Sequence, residues 1–413
     1  MKIAGKKIKE QNGGTTPQAL ESFLKSNQLH KSDVFEIETD KGTFYCAKTK
    51  KQTGDLQVSF QTIVPDILKS INWKKSMRWS DHDLSWGRPL KSILCLFDTS
   101  IVPFHFYHLQ STNKIFLGGP YDEKPFVVKN ATHYFTLLKD KKIILDHEER
   151  KKIILNNLKT IFAKSKCENN PDPSLVEEVT NLVENPTALK GKFSEDFLAL
   201  PEELLNLTMK QHQRYFPMRS IDEGKIINQF ITISNNKDEK KLIIEGNERV
   251  LQARLADAKF FWDKNKKQNL VKLVSKLNGI VFYKDLGTVY DKTQRVRQLS
   301  SLIADIIVCN KEDTEIAASI CKADLVTDLV GEYPELQGVI GSYFALGQGF
   351  SSEISKAISD HYLPLGPNDR VPKEKIAICV AIADKLDTLI GFFGINVKPT
   401  SSKDPFALRR AVL

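Results

Sequence analysis

The segment EGNERVLQARLADAKFFWDKN, residues 245–265, separates two parts of the chain that have different hydrophobic patterns. Its apolar residues recur at i, i+4, i+7 and i+11, one stripe of a 3.6-residue period: Leu251, Leu255, Ala258 and Trp262. This period predicts an amphipathic helix that buries the stripe and exposes the opposite face. The aromatic end of the segment indicates that the helix is held in a folded domain.

Two arginines, Arg249 and Arg254, lie on the polar face of this predicted helix. One interpretation is structural, because polar residues solvate an outer face and Arg254 can pair with Asp257 one turn further on. The other interpretation is functional, because guanidinium groups bind phosphate well. The spacing alone leaves both interpretations open.

The patterns on the two sides of the segment indicate an α+β fold. Strand and helix patterns alternate before it, with strands predicted at residues 90–98, 101–108 and 225–234 and helices at 146–164 and 201–216. From Leu270 onward the patterns are almost exclusively helical. We therefore predict a mixed α/β domain over residues 1–265, followed by an all-α domain over residues 266–413.

The bulk composition is that of an ordinary soluble protein, with 41% hydrophobic and 27% charged residues. Its 60 basic and 51 acidic residues give a net charge of +9, which is compatible with a polyanionic partner. No apolar run approaches the roughly 18 to 20 residues of a membrane span, so we expect no membrane association. The six cysteines form no CxxC pair and indicate a reducing compartment, so we expect a cytoplasmic protein.

Two pairs of aspartates in the helical half suggest a metal-dependent enzyme. Asp324 and Asp328 are four residues apart, and Asp384 and Asp387 are three apart, so each pair is predicted to share a helix face. Carboxylates on two packed helices can bind a divalent metal. The layout resembles that of HD-family phosphohydrolases, which makes such a hydrolase the first alternative function.

The histidines that this chemistry needs are missing from the pattern. His361 is the single histidine beyond His212, and Ala323 stands where the HD histidine belongs. We therefore expect an HD-like domain that binds no metal and carries no catalytic residue. Lys322 and Lys385, or helix termini, are expected to neutralise the aspartates instead.

Basic residues interleaved with aromatic ones occur in MKQHQRYFPMR, residues 209–219, which includes Lys210 and Arg214. Such a mixture can contact phosphates and stack on bases. The nucleotide-binding and nucleophile motifs GxxxxGK[ST], GxGxxG and GxSxG do not occur in the sequence. Nucleic-acid binding is therefore favoured over nucleotide hydrolysis.

Five segments, in this order and spacing, closely resemble the β subunits of bacterial tetrameric glycyl-tRNA synthetases. They are residues 75–98 (KSMRWSDHDLSWGRPLKSILCLFD), 200–220 (LPEELLNLTMKQHQRYFPMRS), 245–265, 321–349 (CKADLVTDLVGEYPELQGVIGSYFALGQG) and 398–411 (KPTSSKDPFALRRA). The resemblance implies an α₂β₂ assembly in which the α subunit carries the class II site and uses ATP and Mg²⁺. It also implies that the first domain is similar to the tRNA-editing-like module of phenylalanyl-tRNA synthetase and that the second is HD-like.

Members of this family continue into a C-terminal anticodon-binding domain, so we expect the present chain to be a fragment without that region and without the usual N-terminal segment. The resemblance implies a subunit that binds tRNA(Gly), scaffolds the α subunit, binds no cofactor itself and is inactive alone. An editing deacylase of mischarged tRNA is the second alternative function. The candidate tRNA-binding residues are Lys210, Arg214, Arg249, Arg254, Lys403, Arg409 and Arg410.

Overall fold

A computed structural model describes residues 3–7, 21, 24–25, 30–39, 42–48, 55–117, 124–366, 368–400 and 403–413. The chain divides into two compact units, Met1–Ile143 and Ile144–Leu413. The domain boundary expected after residue 265 therefore lies inside the second unit.

The first unit contains short strands and helices around a small aromatic core. Its strands are β1 (Ile3–Lys7), β2 (Val34–Thr39), β3 (Gly42–Lys48), β4 (Ile93–Leu94), β5 (Leu96–Phe97), β6 (Ser100–Ile101), β7 (His105–Phe106), β8 (Leu109–Thr112), β9 (Lys114–Ile115) and β10 (Phe126–Val127). Helices α1 (Leu56–Ser70) and α2 (Ala131–Asp140) belong to the same unit. The strands predicted at residues 90–98 and 101–108 are joined by the antiparallel pairing of β5 with β6. These strands are shorter than expected.

The second unit contains a three-stranded antiparallel sheet of order β11-β13-β12. The strands are β11 (Thr187–Lys192), β12 (Phe216–Arg219) and β13 (Ile226–Ser234), and the last of these confirms the strand predicted at residues 225–234. Successive side chains of β13 point to opposite faces. Ile231 therefore packs in a core cluster with helices α3 (His147–Lys164) and α4 (Pro173–Thr180), and Phe230 faces another cluster.

Helix α5 (Glu202–Leu207) continues into a π-helical turn, Thr208–His212, and the predicted long helix is α6 (Leu242–Asn265). Leu251, Leu255 and Ala258 on α6 are fully buried, which confirms the predicted stripe. Close packing of α6 on β11 requires glycine at position 191, because a Cβ there would lie 2.8 Å from Ile244 Cδ1 of α6 and 2.6 Å from the Phe230 ring of β13.

The same core continues from the sheet and α6 into the helical region. One cluster of buried side chains contains Phe230 and Leu255 together with Val296, Ile340 and Val380. Trp262, near the end of α6, packs on Phe344 at a ring-centroid distance of 5.2 Å. Because these residues share one core, the chain does not divide where the sequence pattern changes.

The remaining helices are α7 (Leu270–Leu273), α8 (Val289–Ile307), α9 (Lys311–Ile320), α10 (Asp328–Glu332), α11 (Val339–Gly347), α12 (Ser352–Asp360), α13 (Lys375–Gly394) and α14 (Leu408–Val412). A hairpin that the sequence pattern did not indicate, β14 (Val281–Tyr283) with β15 (Gly287–Thr288), interrupts them. Within the described part of the chain, no helix is long and apolar enough to cross a membrane.

The chain is not one continuous helix through Asp324 and Asp328, so the prediction that these two residues share a helix face is wrong. Asp324 lies in a 3-10 turn, Ala323–Val326, and Thr327 then caps α10 by accepting the N–H of Val330. A threonine side chain competes for backbone hydrogen bonds in this way and favours a new helix start.

We predict that Leu255→Ala lowers the free energy of unfolding of the second unit by about 2–5 kcal/mol, because it leaves a cavity in a fully buried site. Since the core is shared, amides of α6 and of α13 should lose hydrogen-exchange protection together. Val250→Ala, at an exposed position of the same helix, is the control and should change little. Independent unfolding of residues 144–265 and 266–413 in Leu255→Ala would contradict a common core.

Candidate functional site

The helical region contains a buried group of charged side chains, here called the charge cluster: Lys292, Lys322, Asp384 and Asp387. Helix α8 supplies Lys292, the link after α9 supplies Lys322, and α13 supplies both aspartates. The two carboxylates share one face of α13, as their spacing predicts.

Lys292 is surrounded by oxygen atoms. Its Nζ lies 3.1 Å from Asp387 Oδ2 and 3.2 Å from Asp384 Oδ1, and it donates to the Asp384 carbonyl at 3.1 Å and to Thr388 Oγ1 at 2.7 Å. The side chain is only 5% exposed. An ammonium group therefore lies between the two aspartates of α13 and is shared by both carboxylates.

A second lysine completes the neutralisation of Asp384. Lys322 Nζ lies 3.2 Å from Asp384 Oδ1 and 3.8 Å from the centre of the Tyr362 ring. Burial alone would raise the pKa of Asp384, but the charges of Lys322 and Lys292 outweigh it and hold that pKa well below its ordinary value. Asp387 is bound in addition by Arg295, whose Nε donates to Oδ1 at 2.5 Å.

The other two aspartates have separate partners. Asp324 is almost fully buried, and its Oδ2 accepts the backbone N–H groups of Gly338 at 2.6 Å and Gly341 at 3.0 Å, at the start of α11. Burial raises the pKa of Asp324 to about 6. Asp328 lies outside this region and pairs with Lys264 at 2.9 Å.

The expected neutralising groups are thus confirmed in part. Lys322 binds Asp384, and a helix terminus binds Asp324, as expected. The expectation for Lys385 is wrong, because its Nζ donates to the backbone carbonyls of His361 and Leu363.

Sequence reasoning missed Lys292, although a signal for it exists. It lies on the apolar stripe of α8, three residues after Val289 and four before Val296, both of which are buried. A lysine on a buried stripe implies a buried acidic partner, because an unpaired charge is too costly to bury.

The donor set of the charge cluster does not suit a metal ion. Ammonium groups cannot act as ligands, and His361 is buried, with Nδ1 2.7 Å from the Ile358 carbonyl. Burial lowers the pKa of His361 to about 3, so the ring is neutral at pH 7. Among the residues that the structure describes, no group of three or more histidine, cysteine, aspartate and glutamate side chains is placed to hold a metal.

Two of the candidate tRNA-binding residues, Lys210 and Arg214, share a groove of about 690 Å³ between α4 and α5. Each is paired with a carboxylate: Lys210 Nζ lies 3.4 Å from Asp172, and Arg214 Nε lies 2.8 Å from Glu178. Glutamates 203 and 335 line the same groove. This groove is therefore not a basic surface.

The arginines of α6 are placed differently. Arg249 and Arg254 are exposed, and within the described residues neither has a carboxylate at ion-pair distance, so the predicted pair between Arg254 and Asp257 does not form. Arg249 borders a shallow groove of about 500 Å³ that is also lined by Lys192 and by Glu195, Glu245 and Glu248, so this groove is not a basic surface either.

The C-terminal candidates lie within α14 (Arg409 and Arg410) and just before it (Lys403). Arg410 donates to the Leu365 carbonyl, and the guanidinium of Arg409 donates to the Thr400 carbonyl. Lys403 is exposed, and its backbone N–H donates to Thr400 Oγ1 at 3.2 Å. Two of these three side chains thus hold the local backbone. The seven candidates lie on three different segments.

Comparison with known protein families gives a match over almost the whole chain. The family model for the glycyl-tRNA synthetase beta subunit matches residues 2–413. The chain belongs to the glycyl-tRNA synthetase beta subunit family.

Similar members are the glycine–tRNA ligase beta subunits of Phenylobacterium zucineum and Geotalea uraniireducens, each 40% identical over 97% and 99% of this chain, respectively. The glycine–tRNA ligase beta subunit of Listeria monocytogenes is 38% identical over 98% of the chain. The matches cover 60%, 59% and 59% of these three relatives, so the chain spans about three fifths of their length. The resemblance of the five sequence segments to this family is confirmed.

We predict that Lys292→Met lowers the free energy of unfolding by about 3–5 kcal/mol, because it leaves two buried carboxylates with one ammonium and one guanidinium. Urea denaturation at pH 7 measures the change. Lys311→Met is the matched control, since Lys311 pairs with Asp305 at 2.7 Å on the surface and should contribute at most about 1 kcal/mol. Equal effects of the two substitutions would contradict the burial argument.

We also predict a pH dependence that depends on Asp324. Because the folded-state pKa of about 6 lies above the ordinary value of 3.8, the stability linked to this carboxyl is present below about pH 4 and is lost as the pH rises through 6. Asp324→Asn removes the titration but keeps an oxygen to accept the two N–H groups. The unfolding free energy of the wild type relative to this variant should fall by roughly 1–3 kcal/mol between about pH 4 and pH 7. The contribution of His361 to the unfolding free energy is the same in both proteins, so it cancels from the difference. A difference that stays constant with pH would contradict the prediction.

Proposed function

We propose that this chain is a tRNA-binding and scaffolding part of the β subunit of a glycine–tRNA ligase, acting in translation in the cytoplasm. The observation that carries the proposal is the family match over residues 2–413. In the proposed α₂β₂ complex, the α subunit binds ATP and Mg²⁺ and attaches glycine to tRNA(Gly). The present chain contributes binding surface and is inactive alone.

The contacts of the charge cluster favour a non-catalytic role for the helical region over that of an HD-type phosphohydrolase. Lys292 and Lys322 pair with Asp384, and Lys292 also pairs with Asp387. Asp324, which follows Ala323, accepts two backbone N–H groups. The Lys292 ammonium lies within 3.2 Å of four oxygens and helps to neutralise both aspartates of α13. We therefore propose an HD-like region that has a structural role, and we do not favour the phosphohydrolase.

The editing alternative has weaker support. It depends on a tRNA-editing-like character of residues 1–265, which is itself a proposal, and a shared fold does not imply a shared activity. We retain that module as a proposed RNA-binding element and assign it no deacylase activity.

We rank the proposed RNA contacts by whether each basic side chain is already paired with a carboxylate. Arg249 and Arg254 are the favoured contacts, because no ion pair within the described residues has to be broken before they bind phosphate. Lys210 and Arg214 would have to exchange Asp172 and Glu178 for phosphate. Lys403, Arg409 and Arg410 are proposed as a third, separate contact.

We predict that the full-length β subunit alone catalyses no glycine-dependent exchange between ATP and pyrophosphate. Addition of the α subunit should produce exchange, because adenylate formation is assigned to that subunit. The measurement is incorporation of labelled pyrophosphate into ATP, with α alone as the control. Robust exchange by β alone would refute this division of labour.

We predict that Arg249→Ala weakens binding to tRNA(Gly) and reduces the salt dependence of the association constant. The loss of one phosphate contact should lower the slope of log K against log salt by about 0.7 to 1. Arg297→Ala is the control, because Arg297 is similarly exposed but paired with Glu315 at 2.9 Å. If Arg249→Ala lowers the melting temperature and leaves affinity and slope unchanged, Arg249 has a structural role.

A further inference from the structure

Two cysteines of the helical region lie next to each other although 70 residues separate them in the chain. Cys309 belongs to the short turn between α8 and α9, and Cys379 lies in the first half of α13. Their sulfur atoms are 3.5 Å apart. Since a disulfide bond is about 2.05 Å long, the two sulfurs need to approach by only about 1.5 Å.

Several contacts hold the turn of Cys309 against α13. Val308 has left-handed backbone angles, φ 58° and ψ 72°, which a β-branched residue rarely adopts. Its carbonyl accepts a hydrogen bond from Lys375 Nζ at 3.1 Å, at the start of α13, and the N–H of Cys309 donates to the Ala304 carbonyl at 3.2 Å. The Lys375 contact thus joins this strained turn to the start of α13, the helix that carries Cys379.

The two thiols differ in access. Cys309 is partly exposed, whereas Cys379 is fully buried. Burial also raises the pKa of the Cys379 thiol to about 12, which disfavours its thiolate. An oxidant in solution therefore meets Cys309 first, and Cys379 is placed to react second.

We propose that Cys309 and Cys379 form a reversible disulfide when the protein meets a peroxide. The Cys309 thiolate attacks one oxygen of hydrogen peroxide, the O–O bond breaks, and the products are a sulfenic acid and, after protonation, water. The sulfur of Cys379 then attacks the Cys309 sulfur, the S–S bond forms, and the sulfenic oxygen leaves as a second water with the Cys379 proton. Two thiols are oxidised and one peroxide is reduced.

The crosslink would lock the α8–α9 turn onto the helix that carries Asp384 and Asp387. A disulfide that closes a long loop stabilises a protein mainly by restricting its unfolded chain. Reduction by a dithiol would reverse the change through thiol–disulfide exchange. The device is independent of tRNA binding and of the proposed role in aminoacylation.

The test treats the full chain with hydrogen peroxide, blocks the remaining thiols with an alkylating reagent and measures the intact mass and the linked peptides. The expected product has lost two hydrogen atoms and two of its six alkylatable thiols, with residues 309 and 379 in one linked pair of peptides. Its melting temperature should rise by roughly 5–10 °C and return to the starting value after reduction.

Variants separate this pair from the other cysteines. Cys309→Ser and Cys379→Ala should each abolish the mass change and the thermal shift, and Cys167→Ser, at another buried cysteine, should retain both. If Cys379→Ala prevents folding, the comparison of Cys309→Ser with the wild type tests the proposal by itself. Oxidation of Cys309 to a sulfinic acid without a crosslink, or a crosslink between other cysteines, would overturn the proposal.

Discussion

The contact between Lys292 and the two aspartates of α13 is the constraint on which the helical region depends. Transfer of an ion from water to a protein interior costs several kcal/mol, so a buried lysine is tolerated only where carboxylates and other oxygens replace its hydration shell. Asp384, Asp387 and Thr388 provide that shell from α13 alone. The requirement fixes the position of α8 along α13, because a shift of one turn would separate Lys292 from both aspartates and Arg295 from Asp387.

This constraint links the helical region to the α/β part of the same unit. Val296 of α8 and Val380 of α13 lie in the same core cluster as Leu251 and Leu255 of α6. Because Leu251 and Leu255 anchor α6 in this core, the exposed face that carries Arg249 belongs to a well-packed helix. A helix backbone that is already ordered loses little conformational entropy on binding, which suits the proposed contact between Arg249 and the phosphates of an RNA helix.

The periodicity of the sequence was sufficient to predict elements that depend only on residues close together in the chain. The buried stripe of α6, the strand β13 and the aspartates on one face of α13 follow from spacing alone. Features that depend on distant residues were missed: the partner of Lys292 is 92 or more residues away, and the core that spans residue 265 depends on Trp262 meeting Phe344. The polar run after Trp262 resembles a linker in sequence, but in space it is a turn between packed helices. The absence of an Arg254–Asp257 pair likewise reflects side-chain conformations, which spacing does not specify.

The central claim is that lysines, rather than a metal ion, neutralise the aspartates of α13, and the metal content of the purified protein tests it most directly. Protein from cells grown with added manganese, iron and zinc, freed of loosely bound ions by dialysis, is analysed for these elements beside an Asp384→Asn variant. The account predicts substoichiometric metal in both proteins. One equivalent of manganese, iron or zinc in the wild type, lost in the variant, would contradict it and restore the hydrolase as the better explanation.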